Sequence, residues 1–215
     1  MWSLLGRVRD WNTYMNAMAH IGALSAPDIA RAIDLSTANT LCDFAGGPAS
    51  YAIAFARANP NLQIILRDIP ASLKVARENV QKANLTERIK LVETSATDAD
   101  WGGPYDVIFL SHTIHLFDKE AVLAMFHAAH RALVPGGRLI VRELFMDEEK
   151  THPQLGALLS FFMWNKGEAY SVQETTEMMA KAQFMSIAQT RFCEEQTSPE
   201  VVGSLLIGEK SPPTD

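Results

Sequence analysis

The sequence predicts a wound α/β fold, a mostly parallel sheet with helices on its faces. From Asn39 onward short apolar runs alternate with helical segments, the pattern that builds such a sheet. Residues 40–51, TLCDFAGGPASY, read as a strand entering a small-residue turn and then a helix. A second strand, in LRDIP, ends on Asp68, 22 positions after Gly46. Gly46 and Gly47 open backbone angles closed to residues with a Cβ and let a ligand approach the main chain, while a helix from about Ser50 offers free N–H groups. A carboxylate at the end of the second strand is where an α/β domain accepts hydrogen bonds from ribose hydroxyls. The competing reading is an ordinary glycine turn beside a solvated strand end.

The remaining elements follow in order. The first 38 residues read as two helices: WSLLGRVRDWNTYMNAMAHIGAL carries apolar groups at three and four spacings, and SAPDIARAIDL has a Ser-x-x-Asp start. The expected strands are TLCDFA, QIILRDI, IKLVET, YDVIFLSH and RLIVREL, with helices near 50–58, 71–83 and 118–133. Val134-Pro135-Gly136-Gly137 closes the last of these as a helix stop and turn. After Glu143 come a helical run through QLGALLSFFMWNK, an amphipathic helix SVQETTEMMAKAQF, and two late strands, AQTRFCEE and VGSLLIGEK, completing seven. The chain thus divides into a helical segment over 1–38, a sheet domain over 39–210 and a tail over 211–215.

Composition narrows the function classes. At 215 residues one core suffices, and 47% hydrophobic with 20% charged residues is ordinary for a soluble enzyme or binding protein. A net charge of −6 lacks the basic excess that nucleic acid demands. Cys42 and Cys193 are too few for a disulfide framework or thiolate metal site, no secretory segment follows Met1, and no apolar run spans a bilayer, so a cytoplasmic protein is expected. Pro48 and Ala49 break a Gly-x-Gly-x-x-Gly fingerprint and no Walker lysine is present, which disfavours nicotinamide, flavin and nucleotide triphosphates. A nucleoside without a phosphate chain remains.

DFAGGPASY, RDIP, the YDVIFLSHTIHLFDKEAV block and RALVPGGRLIVRELF follow one another in a known order. Over roughly residues 11–208 the chain resembles the catalytic domain of S-adenosylmethionine-dependent O-methyltransferases, the group of plant phenylpropanoid and hydroxyindole enzymes. The resemblance implies a class I methyltransferase sheet of seven strands, the last antiparallel, with S-adenosylmethionine as cofactor. It implies Asp43, Gly46, Gly47, Asp68, Ser95, Ala96 and Ser111 as cofactor contacts, with Thr97 or Asp98 as substitutes for Ser95 at adenine. His115, in HTIHLF, aligns with the catalytic base, and Glu143 with the acidic residue that orients it. Asn165 and Phe161 match the acceptor side, as do Met15 and Met18 in YMNAM. Ala45 and Ala49 stand where the family has glycines, each adding a methyl group beside the donor. The family's amino-terminal dimerisation domain has no counterpart, so a second copy or a partner subunit is expected to cover the acceptor pocket.

The chemistry agrees with those assignments. Methyl transfer from a sulfonium is in-line displacement, so much of the rate comes from orientation. A phenol of pKa about 10 must lose its proton as it attacks, and histidine of ordinary pKa about 6.5 is a suitable acceptor. Alternatives stay open: His112, three positions before His115, is the other candidate base, and His127 and His130 read as structural. Phe161, Phe162, Met163 and Trp164 serve equally as core or as pocket wall. A metal-dependent mechanism would want paired oxygen ligands after the fourth or fifth strand, and SHTIH and RELFMDEE do not supply them, so no metal is expected. A small aromatic or polyketide-like hydroxyl is the expected acceptor. The alternative is a non-methylating member that uses the cofactor as scaffold or cation.

Overall fold

Residues 41–44 are all buried, as a strand covered on both faces must be, and they form the centre of the sheet. In this computed structural model, which describes residues 10–153, 167–193 and 202–212, the chain forms α1 (Trp11–Ala32), β1 (Thr40–Phe44), α2 (Ser50–Ala58), β2 (Gln63–Asp68), α3 (Pro70–Lys82), β3 (Ile89–Glu93) and β4 (Tyr105–Ser111). A 3-10 turn (Ile114–Leu116), α4 (Lys119–Ala132), β5 (Leu133–Arg142), α5 (Val172–Lys181), β6 (Phe184–Cys193) and β7 (Val202–Lys210) complete it. The seven strands lie in the order β3-β2-β1-β4-β5-β7-β6, with only β7 reversed against its neighbours. This is the expected sheet.

Strand alternation sorts the core into two layers. Cys42, Phe44, Ile108, Leu110, Leu139 and Val141 face α4 and α5, where Phe126 and Met179 are fully buried. Leu41, Val107, Phe109 and Ile140 face α1, α2 and α3, against Ile29, Phe55 and Leu73. Each such side chain contributes roughly 1.5–3 kcal/mol by leaving water. The order also reverses direction at β1, whose neighbours β2 and β4 carry the chain outward to opposite edges, so the crevice above β1 and β4 is where an open α/β sheet binds its ligand.

Three expectations are corrected. The two helices before residue 38 are one: α1 runs through Pro27, and Ser25, read as a helix start, is buried inside it with its hydroxyl 3.1 Å from that of Tyr51. Packing against α2 overrides the local stop signal. The turn at Val134-Pro135-Gly136-Gly137 is instead a bulge within β5, since Tyr105 pairs with Leu133 and Val107 with Arg138 while Gly136 takes φ 77°. Phe184 opens β6 rather than ending the preceding helix, which stops at Lys181 because Gln183 turns left-handed at φ 70°. The helical run over residues 154–166 lies outside the described residues. Among those described, no helix is long and apolar enough to cross a membrane.

Helix α5 starts on a reciprocal cap. Ser171 Oγ accepts from the Glu174 N–H at 3.1 Å and Glu174 Oε2 accepts from the Ser171 N–H at 3.0 Å, while Ser171 Oγ also donates to Glu148 at 3.0 Å. Ser171→Ala should therefore cost about 1–2 kcal/mol in urea unfolding. A loss within the error of the measurement would show that the cap adds nothing.

Candidate active site

The turn after β1 is built from left-handed residues. Ala45 sits at φ 57°, Gly47 at 53° and Ala49 at 72°, and the Ala45 N–H donates to Arg67 O at 2.7 Å. Two alanines thus hold backbone angles that cost an L-residue roughly 1–2 kcal/mol and glycine nothing comparable. Their methyl groups lie against the core: Ala49 is fully buried in the layer under α1–α3, and Ala45 packs on the opposite layer. The turn therefore keeps the path that glycines would give it. A Cβ on Gly46 would stand 2.7 Å from the Asp43 carboxyl and 2.8 Å from Leu66, whereas one on Gly47 would meet only Met15 Sδ, at 4.0 Å. The space above Gly47 is an open cradle beside Met15, which is buried; Met18, one turn further along α1, is half-buried.

Two carboxylates underlie this turn. Asp68 accepts from the Gly47 N–H at 2.7 Å and from the Ile69 N–H at 2.6 Å; burial raises its pKa against the pull of those amides. Asp43 is fully buried and neither of its oxygens has a hydrogen-bond partner. Burial and the Asp68 charge push its pKa up to about 7, against the pull of the Ala52 amide dipole. Ser111 Oγ, at the end of the adjoining β4, is likewise buried without a partner. Helix α2 begins at the same place without a side-chain cap. Orphaned polar atoms at the carboxyl ends of two central strands, an uncapped helix start and an open glycine make a donor and acceptor set suited to an amino-acid-bearing nucleoside.

The expected adenine-side residues cluster after β3. Ser95 Oγ lies 3.0 Å from Thr97 Oγ1, and Asp98 folds back to accept from the Ser95 N–H at 2.7 Å and Thr94 Oγ1 at 2.9 Å, which keeps its carboxyl below the ordinary range. Ala96 packs against the core beside them.

The ends of β4 and β5 bring together the expected base and its partner. His115, in the 3-10 turn, places Nδ1 2.8 Å from Glu143 Oε2, and Oε1 accepts from the Ile114 N–H at 3.1 Å. A carboxylate accepts only, so Nδ1 carries the proton and Nε2 keeps its lone pair. Burial opposes charge on His115, but the Glu143 charge and hydrogen bond outweigh it and raise its pKa; burial likewise works against the Glu143 carboxylate, and His115 and His112 more than reverse that, holding it well below the usual range. His112 Nδ1 stands 3.6 Å from Glu143 Oε2, so the ligating atoms of His112, His115 and Glu143 fall within 4.8 Å of one another, the compass of a metal site. The Nε2 of His112, however, is taken by an N–H of Arg142. Arginine only donates, so that nitrogen is the acceptor and His112 turns a hydrogen, not a lone pair, toward the cluster.

Phe161 and Asn165 lie outside the described residues. Sequence reasoning passed over Arg142, Tyr51 and Gly167. Arg142 offered a signal, a cation directly after the apolar run Leu139-Ile140-Val141; Gly167 offered none, and its role comes from a Cβ that would lie 2.3 Å from His115 O.

Residues 2–185 match the family model for the O-methyltransferase domain. The chain is similar to L-tyrosine C(3)-methyltransferase of Streptomyces lavendulae, at 27% identity over 165 residues, covering 75% of this chain and 45% of that protein. It is equally similar to 3-hydroxy-5-methyl-1-naphthoate 3-O-methyltransferase of Streptomyces sahachiroi, at 27% over 198 residues, covering 89% and 56%. A solved structure of PigF with SAH superposes with a TM-score of 0.80 at 26% identity, over 97% of this chain and 64% of that one. The chain spans about half the length of the curated relatives it matches.

The turn geometry gives opposite outcomes at adjacent positions. Ala45→Gly relieves a left-handed alanine at a smaller cost in unfolded-chain entropy, and should raise stability by about 0.5 kcal/mol. Gly46→Ala drives a methyl into Asp43 and Leu66 and should lose about 1–3 kcal/mol, both read by urea unfolding. Equal stability of the two variants would contradict this account of the turn.

Proposed function

The chain belongs to the O-methyltransferase domain family, and from that premise we propose that it transfers a methyl group from S-adenosylmethionine to a hydroxyl of a small aromatic or polyketide-like molecule. The observation that carries the reading is the 2.8 Å contact between His115 Nδ1 and Glu143, which leaves Nε2 as a lone-pair base at the carboxyl ends of β4 and β5. A hydroxyl acceptor needs a proton acceptor of this kind. The naphthoate relative, named for methylating a ring hydroxyl, supports the acceptor class.

When bound, S-adenosylmethionine supplies an electrophilic methyl on a sulfonium. Asp68 is suited to the ribose hydroxyls, since its carboxyl, held by the Gly47 and Ile69 amides and by the Ser72 side chain, stands at the end of β2. Gly47 lets the chain approach closely, and the orphaned Asp43 carboxylate suits an ammonium, which would restore the charge that burial suppresses. Ser95, Ala96 and Asp98 serve the adenine side, with Ser111 closing the floor. Met15 and Met18 of α1 and, by the motifs they stand in, Phe161 and Asn165 are assigned to the acceptor side.

In the transfer itself, His115 Nε2 takes the acceptor's proton as the oxygen attacks. Glu143 fixes the tautomer that exposes Nε2 and stabilises the resulting imidazolium. Its carboxyl stays ionised throughout the working range, because both histidines hold its pKa down. The left-handed alanines preserve the glycine path of the turn, which supports transfer over a purely scaffolding role.

His115→Ala should lower turnover on a phenolic acceptor by about 10² to 10⁴ while leaving S-adenosylhomocysteine affinity within a few-fold in calorimetric titration. Undiminished turnover would remove His115 as the base. Asp68→Ala should abolish most of that affinity, and wild-type-like binding would dispose of the proposed ribose contact. The base must be neutral, and Glu143 raises its pKa, so activity should fall as pH drops, with a midpoint above the ordinary histidine value of about 6.5. A midpoint below that value would contradict the ion-paired assignment.

A further inference from the structure

Resting on the reading of His115 as base, we propose that Arg142 is a positioning residue that acts through His112: it locks His112 in a neutral form with the proton on Nδ1, so that the two-histidine cluster around Glu143 holds a single titrating base. The tie is double. The His112 N–H donates to Arg142 O at 2.9 Å, and an Arg142 guanidinium N–H donates to His112 Nε2. The backbone bond continues the β4/β5 ladder, and His112 then adopts φ 50°, a left-handed conformation that histidine takes more readily than most residues, with its ring on Arg142. The same Arg142 Nη1 donates to the Tyr51 hydroxyl at 3.1 Å, with the guanidinium carbon 5.6 Å from the ring centroid, and Tyr51 is in turn 3.1 Å from Ser25 Oγ of α1. The guanidinium is thus fixed from α2 before it meets His112.

The consequence follows from counting protons. Two imidazoles approach one oxygen of Glu143, at 2.8 and 3.6 Å. If both could become imidazolium, each would compete for that carboxylate, and protonation of His112 would withdraw support from His115. With its Nε2 lone pair committed to Arg142, His112 cannot accept a second proton without breaking that contact and placing two cations side by side. Among the described residues, the titratable and charged groups facing His112 are Arg142 at the end of β5, Glu143 just after it, His115 in the 3-10 turn, and Tyr51 of α2 behind Arg142. His112 is held below its ordinary pKa by burial and by the Arg142 charge, against Glu143. With 36% of its side chain open, water weakens the burial part, and what keeps a proton off Nε2 is the guanidinium N–H that already occupies it.

The test is a histidine-ring NMR titration of the full chain, with the pH profile of turnover alongside. In the parent protein His112 should show a neutral ring, protonated at Nδ1, throughout pH 5.5–8, and the acid limb of the profile should fit one ionisation. In Arg142→Met, His112 should titrate within that range and the acid limb should show two ionisations. Arg142→Lys, which keeps a cation but not the planar fork, and Tyr51→Phe, which frees the guanidinium on one side, should each shift the His112 titration in the same direction by less. If Arg142→Met fails to fold, these two variants carry the test. The proposal is overturned if His112 titrates in the parent, carries its proton on Nε2 there, or behaves identically in every variant. The NMR readout does not depend on turnover, so a failure of His115 as base is distinguishable from a failure of the lock.

Discussion

The buried charge of Glu143 is the constraint on which the rest of the site depends. A carboxylate removed from water is costly unless its lone pairs are filled, and here the Ile114 N–H and the His115 Nδ1–H fill them from one short turn. Because Glu143 directly follows β5 and the turn follows β4, satisfying this charge registers the two strand ends against each other. The tautomer of the base is set by the same contact that makes the carboxylate tolerable inside the protein. Stability and chemistry therefore draw on one interaction rather than on two that must be balanced.

Asp43 presents the opposite situation. Its oxygens are buried without partners, and its neighbour across the turn is another carboxylate. An unsatisfied buried acceptor costs about 1–3 kcal/mol, so the protein carries strain at this point that a cationic ligand group would relieve. The left-handed alanines add to that strain. Polar and conformational strain at the end of β1, set in a sheet whose apolar layers are otherwise well filled, marks the place where the fold is organised around something other than its own stability.

The sheet and the turn were legible because their signals are local. Strand spacing, the small residues of residues 45–49 and the carboxylate at Asp68 lie within a few positions of what they specify, and the pairing of His115 with Glu143 was reached through the order of motifs. The lock on His112 was not legible. It depends on Arg142 meeting Tyr51, 91 positions away in sequence, and on a left-handed histidine, a conformation the residue type favours only weakly. The single helix α1 was misread for the same reason: Ser25 has the chemistry of a cap, but a hydroxyl on α2 claims it. Short polar residues advertise local hydrogen bonds, and tertiary partners redirect them.

The turn that carries His115 is held from a second side. Gly167 brings its backbone so near His115 O that a methyl group would not fit, and the Tyr170 hydroxyl donates to Phe117 O at 2.6 Å. The segment making these contacts is itself anchored, through Lys150 on Glu168 and Glu174 at 3.1 and 3.0 Å and through the Ser171 cap of α5. Exposed ion pairs of this kind contribute little to stability singly. What they do here is geometric: they fix the outer strap, the strap fixes the turn, and Glu143 fixes the ring from within. A base gripped between a buried carboxylate and a close-packed backbone has little freedom left to lose on reaction, which is the condition under which orientation can supply most of the rate.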